Sequence, residues 1–273
     1  MELPSMIEKT LGEIRKSYRE SAQTYTFNAM VYGYMGTGKT RLLSTARKPV
    51  LLHGFDPGGE KVLKDNIEAG EVICDNRFQF EDARKPTAFR EWEKEIGRLR
   101  KIDGFFESLG TYSVDSVTTW SEALMNAILK TQGRAGGTPQ MQDYLVQINT
   151  LRDWIKIITS LPCDVILTGH VDSEKDEVTG RITTGVMITG KLKEKLPLLM
   201  DEVYMAMSKE TSKGVEYSLL TRNTGLFKAR TRLGRNGLFE TYEEPDIKAL
   251  LKKAGFPHED KPLLINNKEE HND

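Results

Sequence analysis

The stretch VYGYMGTGKTRLL, residues 31–43, decides how the rest of the chain is read. Gly33, Gly38, Lys39 and Thr40 fit the spacing G-x-x-x-x-G-K-[ST], with Gly36 adding a further flexible position. Glycines at these places let backbone N–H groups converge on phosphate oxygens, where side chains would collide. A helix that begins where the loop ends points its positive terminus at the anion. Lys39 is then expected to reach the β- and γ-phosphates, and the Thr40 hydroxyl to ligate Mg²⁺. Gly33, Gly36, Thr37, Gly38, Lys39 and Thr40 form the candidate nucleotide loop, with ATP and Mg²⁺ as the expected ligands.

The flanking sequence suits that loop. FNAMVYG reads as a strand entering it, KTRLLSTA as a helix leaving it, and KPVLLHGF as a second buried strand, which together make a βαβ unit. Phe89, Trp92, Ile96 and Leu99 are spaced for one face of a helix. TYSVDS is a short strand, residues 117–130 are helical, and Tyr144, Ile148, Leu151, Ile155 and Ile158 mark another helix. CDVILTGH reads as a central parallel strand. The polar run 171–190 has a turn at Thr179-Gly180 and predicts a projecting hairpin or loop. DEVYMAM, EYSLLTRN and LFKARTRL read as later strands, and EPDIKALLKKAGF as a short helix closed by Gly255. The expected fold is α/β, a mostly parallel central sheet flanked by helices with an added C-terminal strand region. Its parts are a helical extension over 1–24, a core over 25–243, and a C-terminal helix with the polar tail NNKEEHND over 244–273.

Charge and composition narrow the partners. The chain has 273 residues, with Lys+Arg 39 against Asp+Glu 40 and a net charge of -1. That balance excludes a surface coated in basic residues, so any nucleic-acid contact is local. Cys74 and Cys163 match no metal-ligand or disulfide spacing. No apolar run is long enough to span a bilayer, and the charged start lacks a signal-peptide core. A soluble cytoplasmic protein with no membrane contact is expected.

A phosphate-loop ATPase also needs a carboxylate near Mg²⁺ at the end of a neighbouring strand. Asp115, in TYSVDS, ends a predicted strand and precedes a helix. The competing reading is that Asp115 only caps the helix starting near Val117. Asp164 is a rival carboxylate that starts its strand instead of ending it.

With these features in hand, the spacing of GYMGTGKT, GFDPGG, VDS and ILTGH across residues 27–235 resembles that of RecA-like P-loop ATPases encoded by phages and prophages. Such proteins are often called AAA-domain nucleotide-binding proteins, and they include single-strand-annealing recombinases of the Sak type. The resemblance implies a carboxylate base at Asp56, where Glu is more usual. Glu60 is the fallback, and the alternative is that DPGG is simply a turn. It implies a γ-phosphate sensor at His170, with Thr168 beside it, against the alternative of a structural histidine. It also implies that the LFKARTRLG segment supplies cations to an ATP site, often across a subunit interface. Lys228, Arg230 and Arg232 alternate there onto one strand face. Arg230 and Arg232 are the candidate arginine fingers and Arg222 is a less specific one; the alternative is a solvated outer face.

By the same resemblance the loop 171–190 contacts single-stranded DNA through Lys175 and Arg181, and GRAGGTPQ with Arg134 forms a second contact. The segment also carries Asp172, Glu174, Asp176 and Glu177, and no aromatic for base stacking. The expected function is therefore a Mg²⁺-dependent ATPase of DNA recombination or single-strand annealing, acting as a homo-oligomer on single-stranded DNA, with a single-strand-binding protein as a further partner. The alternatives are a nucleotide-switched assembly factor, such as a helicase loader or packaging accessory, and a small-molecule kinase. A GTPase is disfavoured, because Asn267-Lys268-Glu269-Glu270 has Glu where Asn-Lys-x-Asp is usual.

Overall fold

The phosphate-loop candidate leaves the middle of an eight-stranded sheet. The structure is a computed structural model that describes residues 3–21, 25–190 and 192–264. The strands are β1 (Asn28–Gly33), β2 (Val50–Gly54), β3 (Val72–Asp75), β4 (Thr111–Asp115), β5 (Asp164–Gly169), β6 (Val171–Lys175), β7 (Ile182–Val186), β8 (Glu202–Thr211), β9 (Gly214–Leu220) and β10 (Tyr242–Glu243). The helices are α1 (Leu3–Glu20), α2 (Lys39–Leu42), α3 (Lys64–Glu68), α4 (Ala88–Leu99), α5 (Phe105–Ser108), α6 (Val117–Thr131), α7 (Met141–Thr159), α8 (Leu192–Leu199) and α9 (Ile247–Lys253). The sheet runs β10-β9-β8-β1-β5-β4-β2-β3. From β8 through β3 every pairing is parallel, and β9 and β10 add on antiparallel.

The central strands are apolar runs because both of their faces are covered. One face packs Trp92 of α4, Trp120 of α6 and Ile155 of α7 into the larger core, where the Trp92 and Trp120 rings meet edge-on at 4.8 Å. The other face packs Leu42, Leu63 and Leu250. The expected α/β fold, a mostly parallel sheet flanked by helices, is the one the chain adopts. The helix of the expected C-terminal segment, α9, belongs to this second core through Ile247, Leu250 and Leu251. The polar tail beyond 264 lies outside the described residues.

TYSVDS carries the polar residues Thr111 and Ser113, yet β4 is buried along its length. Thr111 Oγ1 donates to Arg47 O and Ser113 Oγ to Ile166 O, both at 2.7 Å, so neither hydroxyl is left unpaired. The helix after the phosphate loop is shorter than KTRLLSTA predicts. After Leu42 it tightens into a 3₁₀ turn over Leu43–Thr45. There Ser44 Oγ donates to Arg41 O and Thr45 Oγ1 to Leu42 O, and such side-chain bonds compete with the helical ladder.

The polar run after β5 does form a hairpin. β6 and β7 pair antiparallel as a separate two-stranded sheet. The LFKARTRL segment, in contrast, is not a strand; its β-type pairing is limited to isolated bridges at Thr184–Phe227 and Val203–Arg230. Side-chain bonds replace the ladder. Arg230 donates to Pro197 O at 2.6 Å and Met200 O at 2.7 Å, and Arg232 pairs with Asp201 at 2.9 Å. The short strand β3 and helix α3 escaped sequence reading, because VICD is too brief for a periodic signal.

Candidate nucleotide-binding site

β1 ends at Gly33, opposite Ala206 of β8. A Cβ at Gly33 would lie 2.6 Å from Ala206 O, so only glycine permits this approach. Gly36 and Gly38 have φ of 79° and 82°, the left-handed turn that wraps the loop back on itself. Thr37 Oγ1 donates to Tyr34 O at 2.8 Å. Lys39 Nζ crosses the loop and donates to Gly33 O and Tyr34 O, both at 2.9 Å. Burial lowers the Lys39 pKa, and the charges of Asp115 and Asp56 oppose that shift. The ammonium is thus preplaced among the loop's amides.

The strand order sets the carboxylates on one side of that loop. β5 lies between β1 and β4, and β2 follows β4. Asp115, at the end of β4, is 3% exposed. Its Oδ2 accepts from Thr40 Oγ1 at 2.6 Å, and its Oδ1 from Thr168 Oγ1. Burial and the nearby Asp56 charge raise the Asp115 pKa, against the Thr168 and Thr40 bonds and the Lys39 charge. The helix-capping alternative is settled by Ser116, whose Oγ accepts from Thr119 N and caps α6 itself. Asp164 starts the central strand β5, at the opposite end of the strands from the loop, where it accepts from Phe27 N and pairs with Arg47.

Phe55 N and Asp56 N both donate to Asp115 O, which draws the turn after β2 against the end of β4. Asp56 Oδ1 accepts from Ser116 Oγ at 2.8 Å and from Thr119 Oγ1, and its Oδ2 meets His170 Nε2 at 2.8 Å. Burial pushes the Asp56 carboxyl up, but the bonds from His170, Thr119 and Ser116 outweigh it and hold the group below its usual range. The same bond, against partial burial, holds His170 above its usual value. Each group is thus shifted toward its charged form. Glu60 turns instead to Gln79, whose Nε2 donates to Glu60 Oε2 at 2.6 Å, so Asp56 is the carboxylate that faces the loop's cavity.

That cavity holds about 700 Å³ and runs from Asp56 and His170 along the loop to Tyr217 and Pro245. Sequence reading missed Tyr217 and Pro245, as well as Ser116 and Thr119; a hydroxyl pair after Asp115 was visible, but its target was not. Arg230 and Arg232 do not line the cavity. Their partners sit where β1 begins, at Asp201 and the end of α8, while the loop leaves where β1 ends. Arg222 donates to Phe239 O, and Arg134 is bound to the buried Asp143 through both carboxylate oxygens. Arg222 does not line the cavity.

Thr40 and Asp115 fit a Mg²⁺ site by their chemistry: two hard oxygen groups in contact beside a phosphate loop, leaving further positions to water and phosphate. Among the described residues no three His, Cys, Asp or Glu side chains gather as a protein-only metal cage, and Mg²⁺ seldom uses one. No described helix is long and apolar enough to cross a membrane.

Glycine loop, buried lysine, Thr–Asp contact and parallel sheet together define a P-loop nucleotide-binding domain of the α/β class. The chain belongs to the AAA domain family, whose sequence pattern matches residues 27–233. Similar solved structures include a KaiC-like protein from the hyperthermophilic archaeon Pyrococcus horikoshii, at 10% identity and a TM-score of 0.41, covering 74% of this chain and 80% of that one. The flagellar accessory protein FlaH from Methanocaldococcus jannaschii also has 10% identity and a TM-score of 0.41, covering 83% and 88%. No curated protein sequence matches the chain.

Proposed function

We propose that this protein is a RecA-like ATPase that uses Mg²⁺-ATP in DNA metabolism, acting as a homo-oligomer on single-stranded DNA. The observation that carries the reading is the 2.6 Å contact between Thr40 Oγ1 and Asp115 Oδ2, with the Asp56–His170 pair on the same side of the loop. Mg²⁺, when bound, neutralises charge on the phosphate oxygens. The chain supplies the rest. Loop amides and Lys39 bind the phosphates, and Asp115 fixes the Thr40 hydroxyl. Asp56, held by three donors, orients a water molecule more readily than it takes its proton, because its carboxyl sits below the usual range. His170 holds a proton at Nε2 against Asp56.

The DNA part of the reading is supported by the link from His170 to the β6–β7 hairpin. His170 N donates to Thr118 Oγ1, Thr118 Oγ1 donates to Met187 O, and Met187 N donates to His170 O. These bonds tie the His170 backbone to the base of the hairpin, the contact through which a shift at His170 would reach it. Lys193 pairs with Asp172 and Glu174, which offsets the acidic side of the hairpin near Lys175.

A second reading, a nucleotide switch with little turnover, is favoured by the same full engagement of Asp56. ATP hydrolysis measured with and without single-stranded DNA separates the two. Strong stimulation by DNA supports the first, and tight ATP binding with negligible turnover in both conditions supports the switch. Phosphate appearing on an added nucleoside would displace both in favour of a kinase.

A further inference from the structure

The β8–β9 hairpin overhangs the sheet beside the phosphate loop. Gly33, the last residue of β1, pairs with Ala206, yet β8 continues through Met207–Thr211 and β9 returns alongside it. Tyr217 stands on that overhang, opposite Ser208. Its ring edge packs over Gly38, where an added Cβ would meet Tyr217 Cδ1 at 3.4 Å. Tyr217 is 44% exposed, and its hydroxyl has no hydrogen-bond partner among the described residues. Pro245 joins the same cavity from the turn before α9, which is anchored to the loop's helix by the Ile247 N to Thr45 Oγ1 bond of 3.0 Å.

Strand order separates the two sides of the cavity. Asp56, Asp115 and His170 arrive from β2, β4 and β5 on one side of β1, whereas Tyr217 arrives from β9 on the other. The carboxylate side takes the terminal phosphate and the metal, so a nucleotide running along the loop places its base toward β9. We infer that Tyr217 and Pro245 form the seat of the nucleobase, with the Tyr217 ring stacking on it and the Pro245 ring closing the apolar wall. This rests on the phosphate-loop reading of the site. The nearby hydroxyls of Ser44 and Thr45 already donate to backbone carbonyls. The base is therefore held by stacking area more than by hydrogen bonds to its edge, and purines bind more tightly than pyrimidines.

The test measures the affinity of the full-length protein for ATP, CTP and inorganic tripolyphosphate, in the wild type and in Tyr217→Ala, Tyr217→Phe and Lys39→Ala. Tyr217→Ala is expected to weaken ATP about tenfold or more, to leave tripolyphosphate within about twofold, and to narrow the preference for ATP over CTP. Tyr217→Phe keeps the ring and stays near the wild type. The base seat is overturned if Tyr217→Ala leaves ATP unchanged, or weakens ATP and tripolyphosphate equally. Failure of the underlying phosphate-loop reading looks different: Lys39→Ala would then leave both ligands bound as in the wild type. An unchanged thermal unfolding curve for Tyr217→Ala verifies that the fold survives.

Discussion

His170 Nε2 lies 2.8 Å from Asp56 Oδ2, although 114 residues separate the two in the chain. The contact joins the turn after β2 to the end of β5 across β4, directly beside the Thr40–Asp115 pair. Each partner shifts the other toward its charged form. Four experiments follow from this arrangement and its surroundings.

The His170–Asp56 pair predicts a pH window. His170 is held above its usual value, so its contribution is complete at pH below the unfolded value of about 6.5 and is lost as pH rises through the raised folded pKa. Asp56 is held below its usual value, so its contribution is present above the unfolded value and is lost as pH falls through the depressed folded pKa. The excess thermal stability of wild type over His170→Gln should therefore shrink on going from pH 6 to pH 9. A difference that grows with pH would show that the pair is not ionic.

Asp115→Asn should separate stability from function. Burial raises the Asp115 pKa, so its charge opposes folding at neutral pH, and that cost vanishes as the carboxyl becomes protonated at low pH. The asparagine variant is expected to melt at or above the wild-type temperature at pH 7 without nucleotide, with the gap closing in acid. Its hydrolysis should fall about a hundredfold and need more Mg²⁺ for half-maximal rate. Wild-type turnover at ordinary Mg²⁺ would remove Asp115 from the metal site.

Lys39→Ala should abolish hydrolysis, by about a hundredfold or more, and leave far-ultraviolet circular dichroism unchanged. Lys39 Nζ bonds only loop carbonyls at Gly33 and Tyr34, so the sheet beneath does not depend on it. A fully active variant would refute the assignment of the phosphate loop.

Arg230→Ala should act on stability before activity. Its guanidinium closes the carbonyls of Pro197 and Met200, and losing such partners costs about 1–3 kcal/mol. The exposed Arg232–Asp201 pair contributes less, so Arg232→Ala should melt nearer to wild type. Turnover per folded molecule is expected to stay constant at every protein concentration for both variants. A concentration-dependent loss would instead support an arginine-finger role between subunits.

Much of the fold was legible in the sequence. The phosphate loop was read from residues 33–40 alone because its geometry depends on glycines and backbone amides that are neighbours along the chain. The central strands were read from apolar runs, since burial on both faces leaves a continuous local pattern. The place of Asp115 at the end of β4 was legible because a strand end next to a helix start can be seen without knowing its neighbours. The expected strand over Arg230 and Arg232 failed for the opposite reason. Alternating cations look like a strand face, but which carbonyls they meet depends on α8 and the start of β8.

Local residue order thus determined the form of the phosphate loop and roughly where the buried strands run, because those properties arise within a few consecutive residues. Folding in three dimensions decided which distant groups surround the loop: the bond between Asp56 and His170, the Ser116 and Thr119 hydroxyls on Asp56, and the arrival of Tyr217 beside Gly38. Those contacts depend on strand order and register across the sheet, and long-range pairing leaves no periodic mark on the chain that makes it.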